Sequence, residues 1–166
     1  MTQPGISNLA RHSNQRSSIH QQNVNKSLTA QKNFLHHINS DVYDFATIQE
    51  LYLDSNHNSC ATHHWYTVYP KEHYIMPLQM RSIILVNKRI ATDAWSQVDV
   101  SSSDMTALVI KMERGKVLLA NVYNDIRQQQ GLVWSIQVFQ KRLRGGGSEG
   151  HAEQTVWLCN FNLLYP

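Results

Sequence analysis

The chain has 166 residues, 42% of them hydrophobic and 16% charged, with a formal net charge of +3. This is enough chain for one buried core, with an ordinary globular composition, which excludes a collagen-like repeat, a wholly disordered chain and a pair of full-sized domains. Two cysteines exclude a disulfide framework, and no apolar run is long enough to cross a bilayer, so an intracellular protein, nuclear or cytoplasmic, with no membrane partner is expected.

Residues 1–16 are rich in Asn, Gln, Ser and Arg and poor in large apolar groups. They cannot repay the entropy of ordering, which predicts a mobile tail before one domain over 17–166. A first strand is read over 19–24, and Ser27 is a good N-cap for a helix over 28–37, with Leu28, Phe34, Leu35 and Ile38 as its apolar stripe. Phe45-Ala46-Thr47-Ile48 reads as a short buried strand ending at Gln49-Glu50, followed by a polar loop over 54–63. A strand over 65–69 stops at Pro70, and another covers 81–87. Stretches 107–112 and 116–123 form a hairpin about Glu113-Arg114-Gly115, where glycine accepts positive φ. Leu132, Ile136, Phe139 and Leu143 recur at helical spacing and end at Arg144, before Gly145-Gly146-Gly147-Ser148. A last apolar strand covers 155–159. Strands outnumber helices, and helices come singly between them, which predicts an α+β layered fold.

Asn23, Glu50, Tyr123 and the pair Asn160 and Asn162 fall at the C-terminal ends of predicted strands, where loops converge. A carboxylate can ligate Mg²⁺, and amide and phenol groups can donate to phosphate oxygens. Each also has a bland reading: Glu50 as a solvated loop acid, Tyr123 as a half-buried strand residue, Asn23 and Asn162 as turn formers. The pairs His36-His37 and His63-His64 lack partners at zinc-finger spacing, and Cys159 has no neighbouring histidine base. Trp65, Tyr66 and Tyr69 suit a core strand, and Lys141-Arg142 suits a last helical turn.

Six segments, in order, resemble the endonuclease domains of fungal LINE-like (non-LTR) retrotransposons, of the endonuclease/exonuclease/phosphatase type. They are Gln22-Asn23-Val24-Asn25-Lys26-Ser27, Ile48-Gln49-Glu50, Trp65-Tyr66-Thr67-Val68-Tyr69-Pro70, Arg81-Ser82-Ile83-Ile84-Leu85-Val86-Asn87, Asn121-Val122-Tyr123-Asn124-Asp125 and Trp157-Leu158-Cys159-Asn160-Phe161-Asn162-Leu163. The resemblance implies a four-layer-type α/β sandwich that hydrolyses DNA phosphodiesters with Mg²⁺. Glu50 and Asn23 would belong to the metal site, Tyr123 would contact the phosphate, and Asn162 would orient it. The family's Gly-Asp-Phe-Asn motif reads Cys159-Asn160-Phe161-Asn162 here, so an amide replaces the acid/base aspartate. The Ser-Asp pairs present, Ser40-Asp41 and Ser103-Asp104, are not followed by the family's histidine. The expectation is therefore a C-terminally truncated, catalytically impaired copy, with part of the inner face of the first sheet left uncovered, which invites association. A reverse transcriptase from an adjoining frame is the implied partner. The alternative is a non-cutting nucleic-acid-binding remnant, or a pseudogene product without a selected role.

Overall fold

The computed structural model describes residues 17–60, 62–113, 115–124, 137 and 154–160. The tail read over 1–16, the helix read over 132–143 with its glycine run, and Asn162 lie outside the described residues.

The first sheet begins with β1 (Ile19–Asn23), which runs parallel to β2 (Phe45–Gln49). A parallel pair needs a crossover, and α1 (Leu28–His37) supplies it. Ser27 caps this helix as expected, its Oγ accepting the Ala30 N–H at 3.2 Å. Phe34 and Leu35 bury against the sheet, but Leu28 does not join them; the fully buried Gln31 does. Its amide is satisfied by the following loop, donating to Ser59 Oγ at 3.0 Å and accepting from Tyr52 N at 2.8 Å. β3 (Trp65–Val68) and β4 (Ser82–Asn87) complete the sheet in the order β1-β2-β4-β3, with β4 antiparallel to both neighbours.

The second sheet has the order β5-β6-β7-β8. Here β6 (Met105–Met112) and β7 (Gly115–Tyr123) form the expected hairpin, with Gly115 at φ 122°. β8 (Gln154–Asn160) runs parallel to β7. The remaining strand, β5 (Trp95–Val98), has no counterpart in the sequence reading. It is four residues with the exposed Ser96 and Gln97 at its centre, so it carries no apolar alternation to detect. The stretch between β3 and β4, to which the sequence reading assigned no element, holds two 3₁₀ turns, Lys71–Tyr74 and Pro77–Gln79.

The two sheets pack face to face. Period-two alternation sends Phe45, Ile84 and Val86 from the first sheet toward Leu108, Ile110 and Leu119 of the second, while Ala46, Ile48, Ile83 and Leu85 face α1. The α+β sandwich expected from the sequence is thus the architecture observed. The expected open inner face is not: Phe45 is 1% exposed and Ile84 and Val86 are 0% exposed, because the second sheet covers them. Exposed apolar side chains cluster instead on the 3₁₀ stretch, at Tyr74, Ile75, Met76 and Leu78. Among the described residues, no helix is long and apolar enough to cross a membrane.

At one end of this interface the packing changes from apolar to polar. Gln49 and Asn121, both 0% exposed, face each other across the gap. Gln49 Nε2 donates to Asn121 Oδ1 at 2.9 Å and to the Val122 carbonyl at 2.8 Å. Asn121 Nδ2 donates back to the carbonyls of Ile48 and Ile83, at 3.0 and 2.9 Å. Ser82 Oγ donates to the Asn121 carbonyl, and Thr106 Oγ1 to the Ser82 carbonyl. Each bond replaces water that these groups lost on burial, so removing one partner strands several others. Asn121→Leu is therefore expected to lower the unfolding free energy by about 3 kcal/mol in urea denaturation.

A second prediction concerns acid. His73 is 8% exposed and stacks on Tyr69 with ring centroids 4.1 Å apart. Burial, and then the neighbouring His57, push its pKa below the ordinary 6.5. The unfolded imidazole therefore takes a proton at a pH where the folded one does not. Stability should fall as pH drops below 6.5, until the folded imidazole is protonated too. His73→Phe should flatten that limb when melting temperature is followed against pH.

Candidate active site

The polar seam lies beneath a rim where β1, β2, β7 and β8 end and β4 and β6 begin. Backbone hydrogen bonds run along this rim. Lys26 N–H donates to the Glu50 carbonyl at 2.6 Å, and Glu50 N–H to the Arg81 carbonyl at 2.9 Å. Arg81 N–H donates to the Ser103 carbonyl at 3.0 Å and so crosses to the second sheet, where Tyr123 N–H donates to the Asp104 carbonyl at 2.8 Å.

Asn23 closes β1 opposite Gln49. Its Oδ1 accepts the Asn25 N–H at 2.8 Å, the geometry of a side chain supporting its own turn. One lone pair of that oxygen is thereby used and one is left. Glu50 follows β2 and is half-buried. Its carboxylate makes no hydrogen bond or ion pair among the described residues. Its backbone is in the left-handed region at φ 48°, as are those of Asn25 at 48° and Lys26 at 54°. Asparagine tolerates that region, but for glutamate it is a strain of the kind that persists where surrounding structure enforces it.

Tyr123 ends β7 and is buried, with the Arg81 guanidinium carbon 4.8 Å from its ring centroid. Asn160 ends β8 in register with Tyr123, and its side chain lies outside the described part. The rim thus brings together Asn23, Glu50, Tyr123 and the backbone of Asn160. The donors it offers a cation are hard oxygens, one carboxylate and one amide. Among the described residues, no three His, Cys, Asp or Glu side chains converge to hold a metal. One carboxylate with an otherwise aqueous shell suits Mg²⁺, which keeps its waters, and does not suit zinc.

Arg81 and Asp104 belong to the rim and escaped the sequence reading. Arg81 Nε and Nη2 bind Asp104 Oδ1 and Oδ2 at 2.6 and 2.7 Å. Arg81 stood in the sequence only as the first residue of a strand motif. Asp104 was weighed only as half of a Ser-Asp pair without a histidine.

No family sequence model matches the chain, and no curated protein sequence does. Among solved structures, the chain is similar to the endonuclease domain of TRAS1, a telomere-specific non-LTR retrotransposon, with a TM-score of 0.62 and 12% identity. The match covers 89% of this chain and 59% of that one, so the chain spans less than two thirds of that domain's length. At this identity the likeness establishes a shared fold, the one that the sequence resemblance implied.

If strain at Glu50 is maintained for the sake of its carboxylate, a residue suited to the same backbone should relieve it. Glu50→Asn is expected to raise the unfolding free energy by roughly 0.5–1 kcal/mol. Chemical denaturation of the two forms checks this.

Proposed function

We propose that the chain is a Mg²⁺-dependent phosphodiesterase domain of the DNA endonuclease kind carried by non-LTR retrotransposons, with its hydrolytic step impaired in this sequence. The observation that carries the reading is the convergence of Asn23, Glu50 and Tyr123 on one rim built from both sheets. The shared fold with a retrotransposon endonuclease domain supports it.

In this reading Glu50 and Asn23 would hold the cation, through the carboxylate and the remaining lone pair of Asn23 Oδ1. A bound Mg²⁺ supplies charge neutralisation on the phosphate. Tyr123 contacts a phosphate oxygen, and orienting the phosphate is the role that the resemblance implies for Asn162. Asn160 takes the place of an acid/base aspartate. An amide neither accepts a proton nor carries negative charge, which removes a contribution on the order of 10²–10⁴-fold to the rate. A reverse transcriptase is the partner implied by the same kinship.

Asn160 also favours a second reading, a DNA-binding module that does not cut. Nicking of supercoiled plasmid with Mg²⁺ distinguishes the two. The proposal expects weak nicking that Glu50→Ala abolishes and that Asn160→Asp raises on the order of 10²-fold. Salt-sensitive DNA binding with no nicking by either the parent or Asn160→Asp supports the second reading. Absence of both nicking and saturable binding overturns the two together.

A further inference from the structure

The proposed site is split between two sheets that share no strand pairing: Glu50 belongs to the first and Tyr123 to the second. We propose that Arg81, anchored by Asp104, is the positioning residue that holds Glu50 and Tyr123 in one frame, so that the rim engages a phosphodiester as a unit. The inference rests on the reading of the rim given above.

Arg81 is the residue that meets every part. Its carbonyl accepts the Glu50 N–H, and its own N–H reaches Ser103 on the approach to β6. Its guanidinium lies over the Tyr123 ring. Asp104, which grips that guanidinium at two points, also accepts the Tyr123 N–H through its carbonyl. The Asp104 backbone is itself fixed, its N–H donating to Ser102 Oγ at 3.1 Å.

With side-chain exposures of 17% for Arg81 and 12% for Asp104, the pair is largely withdrawn from water. It is therefore screened far less than a surface ion pair and holds one geometry. The planar fork matters as much as the charge. Two hydrogen bonds to one carboxylate fix the orientation of the guanidinium over the tyrosine, which a lysine ammonium cannot reproduce.

Anisotropy of a labelled DNA duplex with Mg²⁺, measured where melting curves show each variant folded, tests this. Arg81→Lys keeps the charge and loses the fork. Asp104→Asn removes a negative charge near the proposed phosphate site, so simple electrostatics predicts tighter binding. Positioning predicts the reverse sign: each variant weakens binding by about tenfold, the usual scale for supporting residues. The loss from Arg81→Lys should also largely vanish when Tyr123→Phe is already present, because the arginine acts by placing the phenol hydroxyl that this variant removes.

Unchanged binding in Arg81→Lys overturns the inference, as does tighter binding in Asp104→Asn or full additivity with Tyr123→Phe. If Asp104→Asn does not fold, Arg81→Lys and its double variant decide the matter alone. Tyr123→Phe separates the two levels. If it weakens binding while Arg81→Lys does not, only the positioning role fails. If it has no effect, or the parent binds no DNA, the reading of the rim fails and this inference with it.

Discussion

Two β-sheets packed through apolar side chains can slide, because such contacts are non-directional. In this protein the Gln49–Asn121 contact removes that freedom. Each amide sits on the inner face of its own sheet, near the end of a strand, and bonds to the other's side chain or to carbonyls of the opposite sheet. Hydrogen bonds fix distance and direction where dispersion does not. A buried seam of this kind is tolerated only when nearly all of its groups are satisfied, so it selects one registration of sheet on sheet.

The seam lies directly beneath the rim, and the rim inherits its precision. Gln49 is the last residue of β2 and Glu50 the next one along; Asn121 lies two residues before Tyr123. Holding the two amides together therefore sets the spacing between the strand ends that carry the candidate acid and phenol. Arg81 and Asp104 repeat the connection one layer further out, with charge-assisted hydrogen bonds in place of neutral ones. The left-handed backbones of Asn25, Lys26 and Glu50 gather where β1 and β2 leave the first sheet. Strain there is affordable because β2 beneath is buried along its whole length and paired on both sides.

Away from the rim, the outward faces follow simpler rules. Phe34 and Leu35 of α1 fill one side of the first sheet, and Val98, Met105, Ala107, Leu118, Ala120 and Val122 form a buried cluster on the outer face of the second. The exposed Tyr74, Ile75, Met76 and Leu78 sit on a stretch bounded by the buried Pro70 and Met80. Their exposure follows from local structure, since two short 3₁₀ turns present side chains on several sides and lack one continuous face to bury.

Several local elements were legible in the amino-acid sequence alone. Ser27 before Leu28, the β-branched run of β4 and the glycine that opens β7 are signals read within a few residues, and each produced its element. The α+β class followed from their order. β5 was not legible because an edge strand as short as Trp95–Val98 is specified by the partner that it pairs with, β6, more than by its own pattern. Motif order marked Asn23, Glu50 and Tyr123, yet no periodicity says that strand ends from two sheets share one rim. That depends on contacts between residues as distant in sequence as Gln49 and Asn121. Arg81 and Asp104 show the same limit: an arginine before one strand and an aspartate before another carry no mutual signal until the sheets stack. Tertiary structure alone decided those pairings, because hydrogen bonds between remote residues depend on where the chain returns and leave no trace in local spacing.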